Sequence, residues 1–522
     1  MRISTAQFYE STAANYQKNF ANIVKSSEEA SSLVRVNTAA DDPVGASRLL
    51  QLGQQASMLD QYAANTSTIK ATLGQAESLM TSINNVLQRA KELAIGANNA
   101  GYTDADRQAN ASELGQIEEQ LLSLMNSKDE SGKYIFAGSK GDTVPFTRNT
   151  DGTYTYNGDQ ATLDLPVGDS MSMATNSTGW EVFQQAINTN RSQVTQTAPV
   201  PADSRATLSD GQVTSNTAFN NKFRSGEPYT VEFVSGTQLK ITAANGDDVT
   251  NEASQNGVVG SGKNQTVSFR GVDLTLNVNL QAGESAALLT GHSFTLGAKP
   301  DTFNVSRSPG NPSPTQVTGT NVTDPAAYNA SFPSGSAVLK FTTATAFDLY
   351  SAPITADSKP VSSGSMVGNV ATASGVSFTL NNTVADPLAT GDQFSVAVNT
   401  HETQNILDTV SQLKSALNTP TAGDPVATQK QIAAMSAGMA NLASGIDQVS
   451  VGLSSVGGRG AALDTQSDTN QALVLANAQT QSSIRDSDPA EVLTRLTLQQ
   501  TMLQASQLAF SKIAQLGLFN KV

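Results

Sequence analysis

The chain has 522 residues, a formal net charge of −14, no cysteine, 15% charged residues and 6% aromatic residues. Single cores rarely extend beyond about 300 residues, so several domains packed through small side chains are expected. The acidic balance is −4 over residues 1–142, −8 over 143–400 and −2 over 401–522, which argues against a nucleic-acid or anionic-membrane surface. The lack of cysteine excludes disulfide scaffolds, thiolate metal sites and thiol nucleophiles.

In chain order, Met1 to Glu10 carries one Arg followed by polar residues and lacks the apolar stretch of a cleavable signal; no span of about 20 apolar residues occurs anywhere. Tyr9, Ala13, Tyr16, Phe20, Ile23, Ser27, Ala30 and Val34 then step by three and four, the pattern of a narrow helical seam. Asp41-Asp42-Pro43 could be imagined as paired carboxylates, but before Val44-Gly45-Ala46-Ser47 it reads as a turn and a helix start. The strongest periodic signal follows: Leu59, Tyr62, Thr66, Ile69, Leu73, Ala76, Met80, Ile83, Leu87, Ala90 and Ala94. It predicts a coiled-coil helix of roughly 54 Å at about 1.5 Å rise per residue, needing a partner to cover it. Leu114, Ile117, Leu121 and Leu124 behind the start signal Thr103-Asp104-Ala105-Asp106 offer one such partner.

Fourteen of the 18 prolines lie in 143–400, so the middle is not helical. Alternating runs such as Thr230–Val234, Gln238–Thr242 and Val272–Leu276 between Gly, Asn and Asp turns predict half-buried strands. Gly271-Val272-Asp273-Leu274-Thr275-Leu276 is echoed by Gly375-Val376-Ser377-Phe378-Thr379-Leu380, and Gly291-His292-Ser293-Phe294 by Gly391-Asp392-Gln393-Phe394. Offsets of about 100 residues predict two related β modules, 222–300 and 330–400, within a β-rich outer region 222–400, behind a first β or mixed segment 143–221.

The C-terminal part returns to helical seams. Ile432, Met435, Met439, Leu442, Ile446, Val449, Leu453 and Val456 form the second candidate partner, interrupted at Gly457-Gly458-Arg459-Gly460, where a bend is expected. Val492, Leu496, Leu503, Phe510 and Ile513 close the chain and are expected to pair with the N-terminal seam. The expected fold is therefore multidomain α + β: a discontinuous long-helix coiled-coil rod built from 1–142 together with 401–522, with β-rich outer domains inserted. Such narrow seams bury too little apolar area to offset ordering alone, so the ends are expected to order on assembly.

Catalytic chemistry has little to build on. His292 and His401 are the only imidazoles, no His-x-x-x-His or Gly-x-Ser-x-Gly pattern occurs, and both read as surface histidines. No catalytic residue, metal site or cofactor is expected.

Several motifs carry a resemblance. Met1-Arg2-Ile3-Ser4-Thr5, the stretch from Arg35-Val36-Asn37 to Asp41-Asp42-Pro43 and Ala46-Ser47, and Tyr134-Ile135-Phe136-Ala137-Gly138 resemble the N-terminal motifs of the flagellar hook-associated protein 3 family. Leu498 to Ser506, Ser511-Lys512-Ile513 and Leu518-Phe519 resemble its C-terminal helix and, more loosely, that of flagellin. The resemblance implies a non-enzymatic junction between hook and filament, extracellular on the flagellum and exported by the flagellar type III apparatus. It also implies partners: neighbouring copies, the preceding hook-associated protein, flagellin and a cytoplasmic export chaperone. The residues expected to make those contacts are Leu496, Leu503, Phe510, Ile513, Tyr9, Tyr16, Phe20 and Ile23. The chain departs from the family in a longer β insertion and in ending Asn520-Lys521-Val522. A flagellin-like filament subunit and a surface adhesin with ligand-binding β modules are the rival readings.

Overall fold

The computed structural model describes residues 2–97, 102–149, 152–308, 311–332, 336–351, 354, 358–382 and 387–519. Two long helices open the chain, α1 (Arg2–Ser32) and α2 (Pro43–Ala97), followed by α3 (Asp104–Met125). Short strands come next: β1 (Phe146–Arg148), β2 (Tyr154–Tyr156), β3 (Asp164–Gly168), β4 (Met171–Ala174), β5 (Ala186–Ile187), β6 (Ser192–Ala198), β7 (Ala206–Leu208) and β8 (Gln212–Val213). After the turn α4 (Asn216–Ala218) come β9 (Tyr229–Ser235), β10 (Gln238–Thr242), β11 (Gln265–Phe269), β12 (Val272–Val278) and β13 (Ser293–Ala298). Then follow β14 (Thr302–Arg307), β15 (Val317–Val322), α5 (Pro325–Ser331), β16 (Ser336–Phe341), β17 (Ala346–Ser351), β18 (Ser362–Ser365), β19 (Val370–Ala373), β20 (Val376–Leu380), β21 (Gln393–Asn399) and β22 (Thr403–Gln404). The chain closes with α6 (Ile406–Asn418), α7 (Pro425–Arg485) and α8 (Pro489–Phe519). Long helices from both ends and a β-rich middle are the architecture the sequence predicts.

Three of these helices begin alike. Asp42-Pro43, Asp424-Pro425 and Asp488-Pro489 each place Pro at the first helical position, and the Asp side chain accepts from the Gly45, Val426 and Ala490 amides at 2.9, 2.9 and 2.8 Å. Thr103 and Asp106 form a reciprocal capping box at α3.

One compact body comprises Met1–Ala71, Asp164–Ala174 and Gly458–Val522. Within it α2 and α7 run antiparallel: the Asn477 amide donates to Leu52 O at 3.0 Å, and Lys70 pairs with Asp464 at 2.6 Å. The β3–β4 hairpin is bolted across them by Asn65 to Pro166 O (2.7 Å) and Asn470 to Val167 O (2.9 Å). The other body comprises Thr72–Leu163 and Thr175–Gly457. Its helices bury Leu73, Met80, Ile83 and Leu87 of α2, Leu114 and Leu121 of α3, Leu407 and Val410 of α6, and Met435, Leu442 and Val449 of α7. The expected seam on α7 begins at Met435, because Ile432 is exposed. α6, which the sequence reading did not separate from its neighbours, covers α3: Lys414 reaches the buried Glu118, which also accepts from the Tyr154 hydroxyl at 2.7 Å.

The β strands form two pairs of sheets in the same order. Residues 192–298 give β10-β9-β13-β6 and β11-β12-β7; residues 302–399 give β17-β16-β21-β14, extended by β18, and β19-β20-β15. Matching backbone bonds recur: Gly291 N to Phe233 O (2.9 Å) with Gly391 N to Phe341 O (2.8 Å), and Thr214 N to Gly271 O (2.9 Å) with Thr323 N to Gly375 O (2.7 Å). The hairpins Arg270-Gly271 and Ser374-Gly375 both take positive φ, 47° and 82° against 48° and 79°. Each pair of sheets encloses its own core, one around Phe233, Phe269 and Leu296, the other around Phe341, Phe378 and Val396. A boundary at residue 221 would cut through the first pair, since β6, β7 and β8 pair with β13 and β12. Those three short strands were hidden because their partners lie about 60 to 100 residues later in the chain.

Candidate functional site

The two chain ends meet through a pair of interlocked turns. At Leu33 the backbone takes φ 56°, a left-handed conformation that ends α1. The next residues bridge to the end of α7: Arg35 N donates to Arg485 O at 2.6 Å, the Arg35 guanidinium to Ile484 O at 2.6 Å, and Ser487 N to Leu33 O at 2.9 Å. Arg35 thus satisfies carbonyls that a helix end leaves open.

Asp41 ties this crossing to α1. It accepts from Thr38 N at 2.9 Å and Asn37 N at 3.3 Å and pairs with Lys25 at 2.7 Å. The Lys25 ammonium and then the Thr38 amide hold its carboxyl well below the usual range. Asp42 instead caps α2, and a side chain at Gly45 would crowd Asp42 Oδ2 at 2.5 Å and Ile484 at 3.3 Å. The two carboxylates are thus a loop clamp and a helix cap, as the turn reading expects.

α8 then lies along α1. Glu29, 11% exposed at its side chain, accepts from the Ser487 hydroxyl at 2.6 Å and pairs with Arg495, while Gln507 donates to the Tyr16 hydroxyl at 3.0 Å. Val492 is buried; Ile23, Leu496 and Leu503 are half-buried; Tyr16, Phe20 and Phe510 are exposed. Tyr9 and Ile513 belong to α1 and α8, but their side chains lie outside what is described. The most open apolar residues on α8 are ones the seam did not select: Leu493, Leu498, Met502 and Leu508, at 56, 61, 55 and 63% exposure. Such side chains, with Phe20 at 53%, leave the helix pair with an uncovered apolar surface. Of the seam on α8, Val492, Leu496 and Leu503 are covered and Phe510 is not, and the four most open residues sit one or two positions off the seam.

His292 is a correction to the surface reading. It is buried, with Nε2 2.8 Å from Asp203 Oδ1 and Nδ1 3.0 Å from Leu289 O. Burial pushes the Asp203 carboxyl up, but hydrogen bonds from His292 and Arg205 outweigh it and hold it below the usual range. His401 is half-buried beside Pro300 O at 3.0 Å, and desolvation lowers its pKa. Among the described residues no group of three or more His, Asp or Glu is placed to hold a metal, and no helix is long and apolar enough to cross a membrane.

Comparison with known proteins agrees with this geometry. Residues 3–141 match the bacterial flagellin N-terminal helical region. The flagellar hook-associated protein 3 of Salmonella typhimurium is 33% identical over 183 residues, 35% of this chain and 57% of that protein. The protein of the same name from Escherichia coli is 31% identical over the same shares. The match therefore spans little more than half the length of these relatives. The crystal structure of flagellar hook associated protein-3 from Legionella pneumophila shares the fold, with a TM-score of 0.51 at 19% identity, covering 83% of this chain and 98% of that one. The N-terminal part of the chain is thus similar to the bacterial flagellin N-terminal helical region, and its fold to that of the Legionella protein.

Proposed function

We propose that this chain is a structural subunit of the bacterial flagellum, located at the hook–filament junction, where it provides the surface on which the filament begins. The observation that carries this reading is the set of apolar side chains left exposed on the paired terminal helices, among them Phe20, Leu493, Leu498, Met502, Leu508 and Phe510. In a chain whose ends are tied by a few polar clamps, such side chains are buried only by other subunits, so association is driven by apolar area with no bond chemistry. Neighbouring copies cover it laterally, the preceding hook-associated protein meets one end, and the first flagellin subunits meet the other. Before export a cytoplasmic chaperone holds the same apolar side chains of α8, and the flagellar export apparatus carries the chain out. Identity of about a third to hook-associated protein 3, against 24% to the flagellin of Salmonella berta, favours the junction over the filament itself.

The outer region divides into two related modules, 192–298 and 302–399, rather than at 222–300 and 330–400, with 143–191 as the mixed segment before them. Their shared strand order and matching backbone bonds support a duplication. The first module is held to α7 by Gln429, which donates to Thr207 O at 3.0 Å and Thr275 O at 2.6 Å.

The test is electron microscopy of cells lacking the gene, paired with an assay of flagellin in the medium. Bare hooks and shed flagellin are expected. Intact filaments on motile cells overturn the proposal.

A further inference from the structure

Helix α7 runs unbroken from Pro425 to Arg485, so the bend expected at Gly457 to Gly460 is absent. What changes along it is the chemistry of its seam. In the body formed by Met1–Ala71, Asp164–Ala174 and Gly458–Val522, α7 buries Leu463, Asn470 and Asn477 at steps of seven, and α2 buries Leu52, Leu59 and Thr66 at the same step. A heptad seam between two helices calls for apolar side chains at such positions, and each polar one costs stability. Asn477 is served by α2 itself: its amide donates to Leu52 O at 3.0 Å and to Gln55 Oε1 at 3.3 Å.

Thr66 and Asn470 are served differently. The antiparallel contacts of Lys70 with Asp464 and of Asn477 with Leu52 put them at the same level of the pair, where they are 3% and 4% exposed. The Asn470 amide donates not to α2 but to Val167 O of β3 at 2.9 Å, and its oxygen accepts from Gln466 of its own helix at 2.9 Å. Thr66 Oγ1 is buried with no partner among the described residues. Next to it, Asn65 donates to the preceding carbonyl of β3, Pro166 O, at 2.7 Å. Two consecutive carbonyls of the hairpin are thus read by one Asn from each helix, and the Val167 side chain is fully buried. Tyr62 of α2 and Arg459 of α7 add one bond each, to Asp169 at 3.2 Å and to Ala174 O at 3.3 Å. Where the seam turns polar on both helices, the β3–β4 hairpin supplies the missing apolar side chain and the missing acceptor.

We infer that the β3–β4 hairpin is a strap whose docking is the condition for α2 and α7 to close in this body, because Thr66 and Asn470 leave their seam unable to close unaided. Without the strap the Asn470 amide sits in a dry seam without its acceptor, which alone costs about a ten- to hundredfold in the closing equilibrium. The apolar area of Val167 is lost as well. Two helical segments nearly four hundred residues apart in sequence are therefore coupled to a hairpin that lies between them in the chain, and they pair only once residues 164–174 have folded. A purely apolar heptad seam pairs with any similar seam it meets; one interrupted on both sides and read by a third element pairs only in its own chain. The coupling is a property of the single chain, whatever that chain assembles with.

The experiment removes the strap from the full chain. Asp164 and Ala174 are cross-strand partners, so residues 165–173 can be replaced by two glycines without pulling the flanking segments apart. Amide hydrogen exchange is compared in the native chain, the strapless chain, and the strapless chain carrying Thr66→Val and Asn470→Leu. Without the strap, exchange over residues 59–70 and 463–474 is expected to quicken about ten- to a hundredfold, while the sheets of 192–298 keep their native rates. The two apolar replacements are expected to bring the helices back to within a few-fold of native exchange although the strap is still missing. Native exchange in the strapless chain overturns the inference, because the helices would then close unaided. Failure of the apolar replacements to restore protection also overturns it, because the strap would then act through something other than the polar seam. Quickened exchange in the sheets of 192–298 overturns it equally, by making the hairpin part of the general core.

Discussion

Replacing Leu498 and Leu508 together by Asp separates folding from assembly. Both side chains are more than 60% exposed on α8. Full burial of a Leu stabilises by about 1.5–3 kcal/mol, so about 1–2 kcal/mol per residue remains to be gained from a neighbour. Losing two such contributions and placing two carboxylates against an apolar surface costs about 3 kcal/mol or more, over a hundredfold in association. The isolated chain loses almost nothing, because neither side chain fills its core, so its thermal midpoint by circular dichroism is expected to stay within about 2 °C. In a strain lacking the native gene, the double variant is expected to leave cells non-swarming with bare hooks. Val492→Asp, by contrast, puts a charge at a buried position and is expected to release α8 in the isolated chain. Normal swarming by the double variant would refute the reasoning. A fall in its midpoint comparable to that of Val492→Asp would refute it equally, by showing that these residues belong to the fold.

Glu29→Gln keeps the shape but removes the charge facing Arg495; faster amide exchange along α8 with little change in α2 is the expected result. Glu118→Ala leaves Lys414 and the Tyr154 hydroxyl without their buried acceptor and is expected to destabilise the helical core around α3 and α6 by about 3–5 kcal/mol, read by urea unfolding. Gly438→Ala, where the new methyl collides with the fully packed Leu413, is expected to cost about 1–3 kcal/mol by the same measurement. Asp203 has a folded pKa below its unfolded value, so its contribution is present above the ordinary carboxylate range and is lost as pH falls through the depressed folded value. Asp203→Asn should therefore flatten the acid limb of the stability curve of the 192–298 sheets, read by tryptophan-independent near-ultraviolet dichroism or amide exchange.

The sequence by itself determined the helices at both ends, because a seam repeated every three or four residues is a local property that each segment carries whatever surrounds it. Leu59 to Ala94 and Met435 to Val456 are legible for that reason, and the Asp-Pro start of α2 is legible as an equally local signal. The echo of Gly271–Leu276 in Gly375–Leu380 likewise marked equivalent strands before any pairing was known. Tertiary structure decided the rest. The short strands β6, β7 and β8 gain identity only from partners far along the chain, and His292 is buried because Asp203 and Leu289 O close around it. It also decided which apolar residues of α8 stay open. Periodicity gives a helix its faces, but only the packed position of α1 fixes which face is already covered. The exposure of Leu493, Leu498, Met502 and Leu508 therefore follows from tertiary packing, whereas the existence of the helix follows from the pattern alone.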